Sequence, residues 1–274
     1  MIPHAMTYLP LLLYAVLTSL QPALAQSADY RPLPGQPGKD VVWIPTPGHV
    51  ATEMLNLAKI TASDYVIDLG SGDGRLVIEA ARRGARAHGV EFNPDLVELA
   101  RRNAVAAGVA ERATFAHGDM FEADISKATA LPLFLIPTNL EKLAPKFLKL
   151  APGARIVSNT YEIGGGWDPD ESIHANPCLS WCVAHLYIVP ANAAGTWHVD
   201  DGSQLVFEQS FQQVYGSFQL DNISVAVDGG RLRGRDLRFT VNNTVYNANI
   251  QGDRMSGTAQ GREPRAFSAR RVSN

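Results

Sequence analysis

The sequence predicts a doubly wound α/β sheet followed by a small antiparallel all-β domain. Three observations predict it. Short apolar runs alternate with helical ones between residues 41 and 190. A glycine-rich turn, Gly70-Ser-Gly72-Asp-Gly74, follows the first of those runs and precedes a helix. Beyond Ala191 the helical spacing disappears, and short alternating runs punctuated by glycine and asparagine replace it. Strands that alternate with helices imply parallel pairing with right-handed crossovers, and ligands then bind beyond the carboxyl ends of the strands.

The elements follow in order. Thr46-Pro47 opens a helix, with threonine as N-cap, proline in the first turn, and Val50, Met54 and Leu57 on one buried stripe. Asp64 to Leu69 reads as the first strand, and Arg75 to Arg83 as a helix closed by Gly84. Arg86 to Phe92 is the second strand. Asn93-Pro94 starts the next helix, which Gly108 ends. Ala113 to His117 is the third strand, and Leu131 to Ile136 and Arg155 to Asn159 are the fourth and fifth. Between those two, Asn139 to Leu150 carries Leu140, Leu143, Phe147 and Leu150 on one helical face. Val183 to Val189 is a sixth strand. From residue 195 to 274, runs such as Leu205-Val-Phe207 and Leu237-Arg-Phe239 predict an antiparallel meander folded as a barrel or sheet. Arg231, Arg233, Arg235 and Arg238 alternate there, which reads as a basic stripe on a solvated face, with docking of an acidic partner or lipid headgroups as the alternative.

The 274 residues are 46% hydrophobic and 19% charged, enough for one sizeable core or two domains. A formal net charge of -3 gives no support to a nucleic-acid partner. The first segment is expected to stand outside the fold. Thr7 to Leu20 is apolar, and Ala23-Leu-Ala25 before Gln26 has the small-x-small form of a cleavage site. The apolar run is shorter than the ~20 residues of a membrane span and suits a signal peptide over 1–25, with a Pro/Gly-rich linker over 26–40. Export to a periplasm is the expectation. Because Lys and Arg are missing ahead of the apolar run, an uncleaved inner-membrane anchor is the alternative. The two cysteines, Cys178 and Cys182, leave three states open: a short-loop disulfide, a metal site with His174 or His185, or free thiols packed beside a strand. The spacing is not that of common zinc sites, and no metal is expected.

The chemistry lies at three successive strand ends. Glycines let the main chain pass close to a ligand and turn sharply. A glycine turn alone also fits nicotinamide and flavin proteins, but the spacing here is G-x-G-x-G, with Asp68 before the first glycine. Glu91 ends the second strand, where a carboxylate can accept ribose hydroxyls. Asp119-Met120 follows the third, where an acid can read an adenine and an apolar side chain can cover it.

Tyr65-Val-Ile-Asp-Leu-Gly-Ser-Gly-Asp-Gly-Arg75, Gly89-Val-Glu-Phe-Asn-Pro94 and Gly118-Asp-Met-Phe121 resemble the motifs of class I S-adenosylmethionine-dependent methyltransferases, which have a Rossmann-like sheet. Trp43-Ile-Pro-Thr-Pro47 is similar to FAM173-type protein-lysine methyltransferases and, more distantly, to Dot1-like enzymes. The resemblance spans residues 41 to 189 and leaves the meander uncovered. It implies S-adenosyl-L-methionine as cofactor. Asp68, Gly70, Gly72 and Gly74 would cradle its methionine and ribose, Glu91 would hold the ribose, and Asp119 and Met120 the adenine. Thr46 would touch the cofactor's carboxylate, or else serve only as the N-cap. The acceptor would lie past the fourth strand, at Leu135-Ile-Pro137-Thr138-Asn139, where Thr138 and Asn139 are the catalytic candidates. The Asn-Pro-Pro-Tyr signature of amide- and base-modifying relatives is missing there. Trp43, Tyr161 and Trp167 are expected to pack, with an acceptor channel as their other role. His88 and His117 are read as structural. The resulting expectation is a protein substrate methylated on lysine, no nucleic-acid partner, and membrane contact only through the N-terminal segment. A small or lipidic acceptor, or a non-catalytic binding module, is the alternative.

Overall fold

The computed structural model describes residues 30–37, 42–221 and 223–272. The expected signal segment lies outside the described residues. The chain divides at Arg31, and the unit from Pro32 onward holds every described helix and strand.

The first half contains α1 (Gly48–Leu57), β1 (Tyr65–Leu69), α2 (Arg75–Arg82), β2 (Arg86–Glu91), α3 (Pro94–Ala106), β3 (Ala113–His117), β4 (Ala130–Leu133), α4 (Pro137–Phe147), β5 (Arg155–Asn159), β6 (Glu171–His174) and β7 (Val183–Ile188). The seven strands form one sheet in the order β3-β2-β1-β4-β5-β7-β6. β1 to β5 are parallel, as the strand–helix alternation predicts. β7 is not: it runs antiparallel to β5, and β6, a strand the sequence did not signal, pairs antiparallel with β7. The link from β5 to β7 carries no helix, so nothing carries the chain back across the sheet for a parallel return.

Side chains of β1 alternate between two cores. Val66 joins Val50, Met54, Val77 and Ala100 from α1, α2 and α3, whereas Ile67 and Leu69 join Leu131, Leu140, Leu143, Phe147 and Tyr187 on the α4 side. Asn93 caps α3 by accepting from the Asp95 N–H, with Pro94 at the first helical position, as predicted. At α1 the prediction needs correcting. The helix begins one residue later, Pro47 is the N-cap, and no side chain caps it, so Thr46 stands outside the helix. β4 also ends three residues early, because residues 134–136 leave the sheet to reach α4, which opens on Pro137.

The second half contains β8 (Gly195–Val199), β9 (Gln204–Ser210), β10 (Gln213–Leu220), β11 (Ile223–Ala226), β12 (Asp228–Arg233), β13 (Asp236–Val241), β14 (Thr244–Gln251), β15 (Arg254–Gln260) and β16 (Arg265–Arg271). β10 pairs with β9 as well as with β12, which closes eight strands into an antiparallel barrel, while β11 pairs on β10 outside the ring. Closure removes free edges. Trp197, Phe207, Phe239, Tyr246 and Phe267 fill the interior, with Phe239 and Tyr246 stacked at 4.7 Å. Closure also brings β10 against β9 so tightly at Gly216 that a Cβ there would lie 1.9 Å from the Val206 carbonyl oxygen.

The arginine stripe is not simply a solvated face. Arg231 pairs with Asp170 at 3.5 Å and Arg233 with Glu171 at 3.8 Å, both on the α/β half. Gln212 donates to the Asp168 carbonyl at 2.7 Å, and Phe211 stacks on Trp167 at 5.6 Å.

At the amino edge of the sheet, Arg155 donates to Asp64 and to the Ala58 carbonyl. Asp64 also accepts from the Thr129 hydroxyl at 2.7 Å and the Thr61 N–H at 2.8 Å. This knot ties α1 to the beginnings of β1, β4 and β5. Burial raises the Asp64 pKa, but Thr129, Thr61 and Arg155 together outweigh that effect and hold it below 3.8. Removing the cation strands a carboxylate that is 7% exposed. Arg155→Ala is therefore expected to cost about 3 kcal/mol in urea unfolding at neutral pH. A lowered carboxylate pKa stabilises the fold above the unfolded-state value, and that contribution is lost as pH falls through the folded value. The gap between wild type and Asp64→Asn is accordingly present at pH 7 and closes below pH ~4.

Candidate active site

A cavity of about 260 Å³ opens at the carboxyl ends of β1 to β5, beside the point where the strand order reverses between β1 and β4. The first wall is the turn after β1. Gly70 and Ser71 donate to the Val90 carbonyl at 2.8 and 3.1 Å, which folds the turn back over β2. Gly72 then adopts φ +54°, and a Cβ there would sit 2.8 Å from the Trp43 indole nitrogen, so the tryptophan lies directly on the turn. The second wall is held by Glu91, which is buried at the end of β2. One of its carboxylate oxygens accepts from the Gly72 N–H at 2.9 Å and the other from the Asn93 N–H at 2.8 Å. Asp119 and Met120 form the third wall after β3. Asp119 also accepts from the Phe121 N–H at 2.8 Å, which fixes its turn.

The electrostatics favour a cationic ligand. Asp68, Asp73, Glu91 and Asp119 line the cavity, and Arg75 is the one cation among the described residues that does so. Arg75 is committed to Asp73 at 2.6 Å and to the Thr46 carbonyl at 2.6 Å. Burial, followed by the nearby charges of Glu91 and Asp73, pushes the Asp68 carboxyl well above its ordinary range. A positive group beside it would relieve that penalty.

Most of the predicted positions converge. Thr46, Asp68, Gly70, Gly72, Glu91, Asp119 and Met120 line this one cavity, together with Asn139. Two do not. Gly74 faces away: a Cβ on it would lie 2.6 Å from Phe115 and 2.9 Å from Ala100, so its role is close packing of helix on sheet and the left-handed cap of α2. Thr138 is exposed on the first turn of α4, outside the lining. Of the three aromatic candidates, Trp43 and Tyr161 line the cavity, contrary to the packing expectation, while Trp167 is 1% exposed and belongs to the core. His88 bonds Thr114 and His117 bonds the Phe92 carbonyl, both away from the lining.

Sequence reasoning missed Arg75, Phe134 and Trp181. The cysteines are neither free nor arranged around a metal: Cys178 and Cys182 form a disulfide, and His185 instead faces the Ser172 hydroxyl at 2.8 Å. Trp181 sits inside that five-residue ring, and its position between the two cysteines was the available signal.

Residues 68–171 match the model of the ANTKMT methyltransferase domain. A protein-lysine N-methyltransferase of Saccharolobus islandicus is 41% identical over 152 residues, covering 54% of this chain and 94% of that protein. An adenine nucleotide translocase lysine N-methyltransferase of Mus musculus is 34% identical, over 46% of this chain and 56% of its own length. The chain thus spans little more than half the length of that mouse relative. A solved structure, described as an RNA methyltransferase from Salinibacter ruber in complex with S-adenosyl-L-homocysteine, is 45% identical with a TM-score of 0.51, over 54% of this chain and 95% of that one. The chain belongs to the protein-lysine methyltransferase family and is an S-adenosylmethionine-dependent methyltransferase.

Proposed function

We propose that the enzyme methylates the ε-amino group of a lysine in a protein substrate. The observation that carries this reading is the match to a protein-lysine N-methyltransferase over 94% of that protein's length, on the domain that builds the cavity. The cavity's chemistry supports it. Phe134, Tyr161 and Trp181 line the cavity without an added cation, which suits an alkyl amine better than a polyanion such as RNA, and the segment after β4 reads Leu135-Ile-Pro-Thr138 rather than a base- or amide-binding motif.

The residues present fit the cofactor. Gly70 and Gly72 bring bare main chain to the cavity, Glu91 lines it at the end of β2 where a ribose would lie, and Asp119 with Met120 frames an adenine. Asp68, Thr46 and Arg75 line the same cavity and would hold the methionine end, with Asp68 beside its positive charge. When bound, S-adenosylmethionine supplies a methyl group already activated on a sulfonium. What remains for the chain is alignment: holding donor and nucleophile at about 3–3.5 Å in line accounts for most of what positioning contributes. An ammonium of pKa about 10.4 costs roughly 4.6 kcal/mol to deprotonate at pH 7. Burial of the methylene stem against Phe134, Tyr161 and Trp181 supplies binding energy that offsets that cost. Asn139, at the cavity edge of α4, is placed to orient the neutral amine.

We also place the enzyme outside the cytoplasm. The apolar segment with its Ala-Leu-Ala site and a disulfide between the only two cysteines support that reading. Fractionation with sequencing of the mature N-terminus tests it; a cytoplasmic protein that retains Met1 contradicts it.

Incubation of the enzyme with radiolabelled S-adenosylmethionine and a cell-envelope extract should place label on lysine in protein. Label confined to lipid, RNA or small molecules would overturn the acceptor assignment. Glu91→Ala should weaken S-adenosylhomocysteine binding by about 2 kcal/mol, roughly 30-fold by calorimetry, with an unchanged far-UV spectrum.

The raised pKa of Asp68 gives a pH dependence of definite sign. Ionised Asp68 attracts a sulfonium and protonated Asp68 does not. Affinity for S-adenosylmethionine relative to the uncharged sulfur of S-adenosylhomocysteine should therefore rise with pH through the Asp68 titration. In Asp68→Asn the ratio should stay flat, as read by calorimetry at several pH values.

A further inference from the structure

The reversed direction of β7 has a structural consequence at the acceptor side. Because β7 runs antiparallel to β5, its first residues lie beside the end of β5, and Ala184 pairs with Asn159. The Thr160 N–H donates to the Val183 carbonyl at 2.7 Å, and the Ala175 N–H to the Cys182 carbonyl at 2.8 Å. The loop from β6 to β7 is thereby held at the carboxyl edge of the sheet, next to the segments that follow β4 and β5. That loop contains the Cys178–Cys182 disulfide, and Trp181 within it adopts φ +59°, a left-handed conformation that a bulky residue adopts only under local constraint. Its ring lies 5.6 Å from Phe134 and 6.3 Å from Tyr161. All three rings are half-buried and line the same cavity as Glu91 and Asn139.

We propose that Trp181, fixed by the Cys178–Cys182 disulfide, completes an aromatic box with Phe134 and Tyr161 that receives the alkylammonium side chain of the acceptor, and that reduction of the disulfide opens this box without affecting the cofactor half. It rests on the reading of the acceptor as an amine. The chemistry is direct: ring faces attract an ammonium, and their apolar surface covers the methylene stem that leads to it. The division of the cavity follows from where the rings come from. The cofactor walls are built on β1, β2 and β3, which share no residue with the disulfide loop. Cys178 and Cys182 are half-buried, and Leu179 between them is fully exposed, so a phosphine in solvent reaches the bond; with one water it breaks the S–S bond to give two thiols and itself becomes the phosphine oxide. The chain has only two cysteines, and the phosphine therefore acts on this one bond.

The test uses the full-length protein saturated with S-adenosylhomocysteine and n-butylammonium as probe, read by saturation-transfer NMR and titration. Oxidised wild type should bind the probe. Trp181→Ala should weaken binding about fivefold, and Trp181→Phe should restore most of it. Wild type reduced with a phosphine should weaken to the same degree as Trp181→Ala, with calorimetric affinity for S-adenosylhomocysteine unchanged in every case. No probe binding by oxidised wild type, equal binding by Trp181→Ala, or equal binding after reduction would each overturn the proposal. Reduction of wild type needs no variant to fold. Probe binding that depends on Trp181 while label in the extract experiment falls only on lipid would uphold the box and discard the protein acceptor.

Discussion

The Glu91 carboxylate is the fixed point of the site. It uses one oxygen on the Gly72 N–H and the other on the Asn93 N–H, so a single side chain sets the distance between the turns after β1 and β2. Both donors are main-chain groups with no freedom to swing away, and a charged acceptor makes such bonds about twice as strong as neutral ones. Everything nearby takes its position from that clamp. The Gly72 turn presents bare backbone to the cavity, and Trp43 lies against it in the same lining. Asn93 is at once a partner of Glu91 and the cap of α3. The parallel pairing of β1 with β2 supplies the register, since Leu69 lies opposite Val90, one residue short of the acid.

What the sequence made legible was local. Glycines at fixed offsets, an acid at a strand end, and Asn-Pro ahead of a helix each report a backbone geometry that neighbouring residues determine. The structure accordingly has β1, β2, β3 and β5 close to where their patterns lie. Local chemistry does not report strand direction. Val183 to Ile188 reads identically whichever way it runs, and only the missing helix before it argued for reversal. β6 was invisible for a different reason: three of its four residues are exposed, so no apolar alternation marks it. Gly74 shows a third kind of limit. Its spacing fits a ligand-binding turn, yet the steric demand at that position comes from Phe115 and Ala100. Sequence shows that a glycine is required but not which neighbour requires it.

The same blindness to direction explains why the acceptor half was harder to read than the cofactor half. The cofactor walls run from Gly70 to Met120 and share one motif logic. The acceptor wall draws Phe134, Tyr161 and Trp181 from segments whose meeting depends on the order β4-β5-β7 and on the reversal of β7. Thr138 looked suitable because it is polar and follows β4. The chain, however, leaves the sheet at Leu133, and residues 134–136 reach the cavity first.

The barrel takes on meaning from where it is fastened. Four of its contacts with the α/β half gather on one stretch of chain: Trp167 stacks on Phe211, the Asp168 carbonyl accepts from Gln212, Asp170 meets Arg231 and Glu171 meets Arg233, while Gly234 packs separately against Gly153 and Ile188. That stretch leads directly into β6, the strand that pairs with β7 and shares the disulfide loop with it. A two-stranded edge with an exposed outer strand is marginal by itself. Held on one side by β5 and at its base by the barrel, it becomes a rigid mount, and a rigid mount is what an aromatic wall needs if it is to align a nucleophile. The Arg233–Glu171 pair is exposed on both sides and adds little to this. The Trp167–Phe211 stack and the Gln212 amide are the stronger fastening, since Trp167 and Gln212 are buried and neither contact is screened by salt.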